Sequence, residues 1–216
     1  MKFYNSLGPN PRLVRMFMLE KGIEIPFEEV DLMAGANREP AYMEKNPTGQ
    51  MPSLELDDGT VIAETVPICE YLEEIHPDPA LIGSSPQERA ETRMWTRRIE
   101  LNITEPLANG FRYGEGLDIF KDRLHVIPQA ADDLKAIARE NLERLDGWLE
   151  GRDFVAGNRL TLADIVLYAI TDFGPGVGQP LDPSLKRVGA WSERVGSRPS
   201  AEASLHPVAV AGGMRG

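Results

Sequence analysis

The first third of the chain has short apolar segments separated by turn residues, which is typical of a small sheet with a few helices. Residues 1–5 and 27–32 are predicted strands, and residues 54–56 alternate apolar and polar side chains as a half-buried strand does. The pair Asp58-Gly59 is a strong hairpin signal before the next apolar residues. Together these segments predict a sheet of four strands.

Helix signals separate the predicted strands. Asn10 is a candidate helix cap with Pro11 at the first helical position, and Gly22 is a stop signal at the other end. Thr65 is a candidate cap for a later helix that carries Pro67 in its first turn. The order β-α-β-(loop or helix)-β-β-α predicts a compact α/β unit with a mixed sheet.

The rest of the chain shows helical periodicity and no strand pattern. Residues 76–84 hold two prolines and a glycine, which favours a linker. One capping box begins at Ser85 and another at Thr161. Residues 162–173 are apolar nearly all round, so we expect this helix at the centre of its domain. Further helices are predicted over residues 90–101, 134–149 and 188–198.

These patterns divide the chain into four segments. We expect an α/β domain over residues 1–77, a linker over residues 78–84 and an all-helical domain over residues 85–205. Residues 206–216 have no strong pattern and are expected to form a frayed tail.

Composition narrows the class of partner. The 216-residue chain has a formal net charge of −11 and a sequence pI of about 4.8, which disfavours nucleic acid and anionic membrane surfaces. No apolar run approaches the roughly 20 residues of a membrane span. Cys69 is the only cysteine, which excludes an intramolecular disulfide and favours a reducing, cytoplasmic compartment. The three histidines show no metal-ligand spacing, so no metal is expected.

Residues 46–72 carry a long motif, N-P-x-G-x-x-P-x-L-x-L-x-D-G-x-x-I-x-E-T-x-x-I-x-x-Y-L. This motif resembles the glutathione-binding half of the cytosolic glutathione transferases. Residues 154–165 and 188–200 resemble two helical motifs of the same family, in a bacterial and fungal branch rather than the alpha, mu or pi classes. The resemblance implies a thioredoxin-like domain followed by an all-α domain, a homodimer, and glutathione as co-substrate.

The resemblance also assigns residues to glutathione. Glu64 and Thr65 would hold the γ-glutamyl end, and Met51, before a cis Pro52, would offer backbone groups to the cysteinyl residue. Arg38 suits the glycyl carboxylate because guanidinium pairs with carboxylates. The full set of positions that the resemblance assigns to glutathione is Asn37, Arg38, Gln50, Met51, Pro52, Glu64 and Thr65.

The residue that activates the thiol is not fixed by the motif. A free thiol with a pKa near 8.5 is mostly protonated at pH 7, so the enzyme must stabilise the thiolate. The family's usual serine or cysteine position falls near Gly8-Pro9, which has no side-chain donor. The candidates are Tyr4, Asn5, Ser6 and Asn10. Asn5 or Ser6 is favoured, then Asn10 with the helix N-terminus, whereas Tyr4 is equally explained as a core aromatic and Asn10 as a plain helix cap.

The electrophile is expected to bind between the domains, as many ligands do. Residues 109–114 are rich in glycine and aromatic residues, which suggests a mobile cover. The candidate residues for the electrophile are Arg98, Asn102, Phe111, Arg112, Tyr113 and Phe173. The predicted activity is conjugation or reduction of small hydrophobic electrophiles, including peroxides. The alternative is a non-catalytic glutathione-binding or regulatory protein, because the usual activating residue is missing.

Overall fold

The computed structural model describes residues 1–216 and divides into two compact units. Unit 1 comprises Met1–Leu81 together with Pro199–Gly216, and unit 2 comprises Ile82–Arg198. The last residues therefore pack with the first domain, although the sequence expectation placed residues 199–205 in the helical domain. None of the helices combines the length and apolar character needed to cross a bilayer.

Unit 1 contains a mixed sheet of four strands, as predicted. The strands are β1 (Lys2–Asn5), β2 (Phe27–Glu29), β3 (Ser53–Glu55) and β4 (Val61–Ala63). Their order is β2-β1-β3-β4, with β1 parallel to β2 and antiparallel to β3. Phe3 and Leu54 are fully buried in the two central strands, and Gly59 has a φ of 86° in the turn between β3 and β4. The sheet is the core of unit 1.

Unit 1 has three helices before its C-terminal segment, and the cap positions of the first and third lie two residues and one residue before the predicted caps. They are α1 (Pro9–Lys21), α2 (Pro40–Met43) and α3 (Thr65–Ile75). The residue at the start of α1 is Gly8 rather than Asn10, which lies inside the first turn. Glu64 occupies the cap position of α3, and Thr65 is its first helical residue. Neither helix has a side-chain cap, so both predicted caps are wrong. Gly22 ends α1 in the left-handed conformation, as predicted.

A buried ion pair joins α1 to α3. The Lys21 Nζ lies 2.6 Å from the Glu73 Oε2, and both side chains are almost fully excluded from solvent. The same ammonium donates to the Pro79 carbonyl, and the Glu73 carboxylate accepts the Leu81 N–H. These bonds fix the segment that leaves α3.

Unit 2 is all-helical. Its helices are α4 (Pro86–Ile99), α5 (Glu105–Tyr113), α6 (Leu117–Phe120), α7 (Ala131–Trp148), α8 (Leu162–Phe173) and α9 (Lys186–Gly196). Both bonds of the predicted capping box between Ser85 and Glu88 form at the start of α4. A π-helical turn, Glu100–Thr104, joins α4 to α5 just before Pro106, whose ring nitrogen has no proton for the helical ladder.

Helix α8 is buried along nearly its whole length, as its composition predicts. The Asp164 carboxylate accepts the N–H groups of Val155 and Thr161, the Thr161 hydroxyl and the Trp191 indole N–H, all within 2.9 Å. Burial raises the pKa of Asp164, while these donors act in the opposite direction. One carboxylate thus joins the start of α8 to α9 and to the preceding loop.

The C-terminal segment Pro199–Gly216 folds with unit 1, whereas the sequence pattern predicts a frayed tail over residues 206–216. It contains α10 (Pro199–Ala203) and α11 (Pro207–Ala211). The Ser200 hydroxyl donates to Glu20 on α1, and the His206 Nε2 lies 3.2 Å from the Glu29 carboxylate on β2. The His206 Nδ1 accepts the Val208 N–H at the start of α11. Glu20 and Glu29 are distant in sequence from their partners, so local pattern does not reveal these two contacts.

Candidate functional site

The turn before β3 presents unpaired backbone groups. The Met51-Pro52 bond is cis, as the resemblance implied. The Gln50 carbonyl accepts hydrogen bonds from the Tyr42 hydroxyl at 2.9 Å and from the Asn46 amide at 2.8 Å. The N–H and C=O of Met51 make no hydrogen bond within the chain. Met51 can therefore bind an extended ligand backbone with one donor and one acceptor.

The start of α3 can hold the two charges of an α-amino acid. Glu64 is exposed and has a φ of 72°, a strained conformation that recurs at ligand sites. The first N–H groups of the helix have no helical partner, and the Thr65 hydroxyl makes no internal hydrogen bond. A ligand carboxylate is stabilised at such a helix N-terminus, and an ammonium group by the Glu64 carboxylate.

Asn37 and Arg38 form a further polar position. The Asn37 amide nitrogen donates to the Gly49 carbonyl at 2.7 Å, and Arg38 Nη1 donates to the Thr48 carbonyl at 3.2 Å. The Asn37 Oδ1 and the Arg38 Nε are buried and have no partner. A side chain at position 49 would be strained, because the φ of Gly49 is 61° and a Cβ would lie 3.0 Å from the Asn37 carbonyl and 2.9 Å from the Arg38 guanidinium. The guanidinium is thus held by the turn and keeps donors suited to a carboxylate.

Three of the four candidates for thiol activation have side chains bonded elsewhere. The Tyr4 hydroxyl donates to the Glu55 carboxylate, and burial raises the pKa of Tyr4. The Asn5 amide nitrogen donates to Glu29, while its oxygen accepts from a buried arginine of α1. The buried Ser6 hydroxyl donates to the backbone carbonyl of residue 30 at 2.7 Å. The single hydroxyl hydrogens of Tyr4 and Ser6 are thus used within the chain, and the Asn5 amide is bonded through both its nitrogen and its oxygen.

Asn10 is different from the other three candidates. It is half-buried in the first turn of α1, and its side chain makes no internal hydrogen bond. Pro9 and Pro11 have no N–H, and the Arg12 N–H donates to the Gly8 carbonyl. Asn10 therefore supplies both the unpaired backbone donor and the unpaired side-chain donor of this turn.

The residues predicted for the electrophile form two groups in unit 2. The Arg98 guanidinium lies 5.0 Å from the centre of the Trp95 ring, and the Asn102 amide donates to the Arg98 carbonyl. Two helical turns further on, the Phe111 ring packs edge-on against Phe173 with 5.4 Å between centroids. The remaining candidates, Arg112 and Tyr113, are half-buried at the end of α5. Asn102 of the first group lies in the π-helical turn itself, whereas Phe111, Arg112 and Tyr113 lie at the end of α5.

Residues 109–114, for which the sequence suggests a mobile cover, lie mainly in a helix rather than in a loop. Most of this run lies in α5, and Gly110 packs against α7, where a Cβ would lie 2.7 Å from the Lys135 side chain. Gly116 approaches the Phe111 ring equally closely. The glycines thus allow close packing at this position.

Sequence reasoning missed the residues that hold the turn before β3. Tyr42 and Asn46 both bond the Gln50 carbonyl, and Tyr42 also lies 3.0 Å from the Ser53 hydroxyl. Asn46 was visible as a turn residue, whereas Tyr42 carried no signal beyond an aromatic in a short helix. The partners of both lie within twelve residues along the chain.

The mixed sheet with its cis-proline turn, followed by helices alone, defines a thioredoxin-like domain joined to an all-helical domain. The sequence profile "Glutathione S-transferase, N-terminal domain" matches residues 8–75, and "Glutathione S-transferase, C-terminal domain" matches residues 123–199. Glutathione S-transferase 2 of Saccharomyces cerevisiae is 30% identical over 205 residues, covering 92% of this chain and 86% of that protein. The chain belongs to the glutathione S-transferase family.

Solved structures agree with this assignment. The crystal structure of Gtt2 from Saccharomyces cerevisiae superposes with a TM-score of 0.88 at 30% identity, over 95% of this chain and all of that one. A glutathione S-transferase domain-containing protein from Marinobacter aquaeolei gives 0.87 at 36% identity, over 93% and 99% of the two chains. These relatives are fungal and bacterial, as the motif resemblance indicated, and the enzyme class is glutathione transferase.

Proposed function

We propose that this chain catalyses attack of the glutathione thiolate on small hydrophobic electrophiles. The observation that carries the proposal is the set of unpaired polar groups along one part of unit 1. Glu64 and the start of α3 suit the γ-glutamyl end, the Met51 backbone suits the cysteinyl residue, and Arg38 suits the glycyl carboxylate. Together these three positions would account for each residue of glutathione.

The thiol would lie at the start of α1. Lowering its pKa by two units requires about 2.7 kcal/mol of preferential binding to the thiolate. A hydrogen bond from the Asn10 amide, one from the Asn10 N–H and the positive end of α1 are sufficient for this. Asn5 and Ser6 are less suitable than Asn10, because their side chains are bonded within the chain.

Titration of the thiolate absorbance of glutathione bound to the protein tests the function. We expect the bound thiol to ionise well below the pKa of free glutathione, together with turnover of an aryl halide. Binding without a pKa shift would favour the alternative, a non-catalytic glutathione-binding protein. That alternative is supported by one observation, the absence of a free serine, cysteine or tyrosine side chain at the start of α1. No binding at millimolar glutathione would contradict both.

The proposal includes the setting in which the enzyme works. The substrates would be small electrophiles and organic peroxides, in a detoxification role, and the protein would act as a cytoplasmic homodimer. The single cysteine, Cys69, is fully buried and its pKa is raised by burial, so it would not compete with glutathione as a thiolate. Assays with an aryl halide and with an organic hydroperoxide, run side by side, distinguish conjugation from reduction.

A further inference from the structure

Helix α1 carries a fully buried guanidinium group that binds the C-terminal segment. Arg12 has no exposed surface. Its Nη2 donates to the Ala201 carbonyl at 2.9 Å, its Nη1 to the Arg215 carbonyl at 3.1 Å and its Nε to the Ser204 hydroxyl at 3.4 Å. One side chain thus joins the helix to α10 and to the last residues of the chain.

Arg15, one turn further along the same helix, binds in two directions. Its Nε donates to the Ser204 carbonyl at 2.8 Å. Its Nη1 donates to the Asn5 side-chain oxygen at 2.7 Å and to the Ser6 carbonyl at 2.9 Å. Arg15 therefore connects the C-terminal segment to the loop that runs from β1 into α1.

Burial and the neighbouring Arg12 disfavour the positive charge of Arg15, while the Glu29 carboxylate acts in the opposite direction. All three of its acceptors are neutral, and its Nη2 is buried without a partner. Burial lowers the pKa of Arg15 to about 10. A buried, incompletely paired cation lowers the stability of the folded protein, and an apolar side chain of similar size often gives a more stable protein. What the guanidinium alone provides is a rigid planar fork that fixes several acceptors at once.

The C-terminal segment reaches the residue at which α1 begins. Gly216 lies against Gly8 so closely that a Cβ on Gly216 would be 3.0 Å from the Gly8 Cα and 3.3 Å from the Pro9 nitrogen. The Gly216 carbonyl accepts the His206 N–H, which ties this end back to the start of α11. The start of α1 is thus held through Arg15 and packed against Gly216.

We infer that Arg15 is a positioning residue for the thiol site. Its guanidinium holds residues 5–6 against Ser204, and this fixes the path of the loop into Gly8 and the direction of the Asn10 donors. Arg12 supports it by holding the C-terminal segment in place. The inference rests on the proposed function, because it concerns the activation of the same thiol. Arg15 would then affect catalysis through the loop that it holds and not through a contact with glutathione.

Two substitutions of Arg15 test the inference. Arg15→Met removes all three bonds, and Arg15→Lys keeps the charge but replaces the planar fork with a single ammonium group. Lys21→Met is the matched control, because it removes a buried cation from the other end of α1 without touching the loop. For each variant we would measure the pKa of bound glutathione thiol, kcat, the affinity for S-methylglutathione and the melting temperature.

We expect both Arg15 variants to raise the thiol pKa by about one unit, which lowers the thiolate fraction and kcat about tenfold below the new pKa. Affinity for S-methylglutathione should stay close to that of the wild type, since its binding positions lie elsewhere in unit 1. Lys21→Met should lower the melting temperature and leave the thiol pKa unchanged. If Arg15→Met does not fold, Arg15→Lys provides the test.

The inference is overturned if an Arg15 variant keeps the wild-type thiol pKa, or if Lys21→Met shifts it equally. A wild-type thiol pKa and kcat in Arg15→Lys would overturn it too, because the positive charge of residue 15 and not its planar fork would then support thiol activation. A wild-type protein that binds glutathione without ionising it would instead contradict the proposed function, and this inference with it. The wild-type titration thus separates the two failures.

Discussion

The start of α1 depends on a single residue for its hydrogen-bond donors. Pro9 and Pro11 leave Asn10 as the residue in this turn with an unpaired N–H, and its amide is not used as a cap. A cap would have occupied the amide oxygen and fixed the side chain against the helix. Because Gly8 starts the helix instead, the Asn10 amide remains able to donate to a ligand.

Asn10→Ala is therefore expected to raise the pKa of bound glutathione thiol by about one unit and to lower kcat about tenfold, since one hydrogen bond to the thiolate is lost. Asn10→Asp should have a larger effect in the same direction, because it adds a negative charge beside the sulfur. Asn158→Ala, at an exposed asparagine in unit 2, is the matched control. The measurement is the thiolate titration with steady-state kinetics. An unchanged titration in Asn10→Ala would leave activation to the backbone alone.

The boundaries of secondary-structure elements were predictable where a characteristic residue type marks them. Ser85 and Thr161 cap α4 and α8, and Gly22 ends α1, all as their residue types indicate. The prediction failed at Gly8 and Glu64, where each helix starts without a side-chain cap. Nothing in a local pattern distinguishes such a start from one a residue or two later.

For the candidate site, the sequence motif identified the glutathione-binding positions but did not distinguish between the candidates for thiol activation. Met51, Glu64 and Thr65 belong to a continuous motif, and their polar groups are unpaired in the structure. Asn5 and Ser6 looked equally suitable in the sequence. Their side chains are bonded to residues 10 to 24 positions away, and such pairings follow from the tertiary fold rather than from residue type.

The Asp164 carboxylate at the start of α8 is expected to contribute strongly to the stability of unit 2, because it accepts four buried hydrogen bonds. Asp164→Ala leaves the N–H groups of Val155, Thr161 and Trp191 buried without an acceptor. We expect a loss of about 3–5 kcal/mol in the free energy of unfolding, since each unpaired buried donor costs about 1–3 kcal/mol. Denaturant unfolding measures it. Asp132→Ala, an exposed acid in α7, should change stability by no more than about 1 kcal/mol. Similar losses in both variants would contradict the assignment.

At the scale of the whole molecule, unit 1 is completed by the last part of the chain. The hydrogen bonds from Arg12 and Arg15 to the C-terminal segment span 189 to 203 residues. Contacts of such long range form late and slow the folding of a domain. The α/β unit therefore reaches its final structure only when residues that follow all of unit 2 are in place.

The proposed homodimer also belongs to this scale. Met94 lies in α4, and Leu101 lies seven residues later in the π-helical turn that continues α4. Their side chains are 40% and 50% exposed. Apolar side chains that share one helix face favour burial against a partner, and a two-fold dimer buries the same patch on both chains.

Light scattering should give about twice the chain mass of 23.9 kDa. Leu101→Glu should shift the mass toward a single chain, whereas Val208→Glu, at a more exposed valine in unit 1, should not. A single-chain mass for the wild type at micromolar concentration would contradict the dimer, and a dimeric Leu101→Glu variant would place its interface elsewhere.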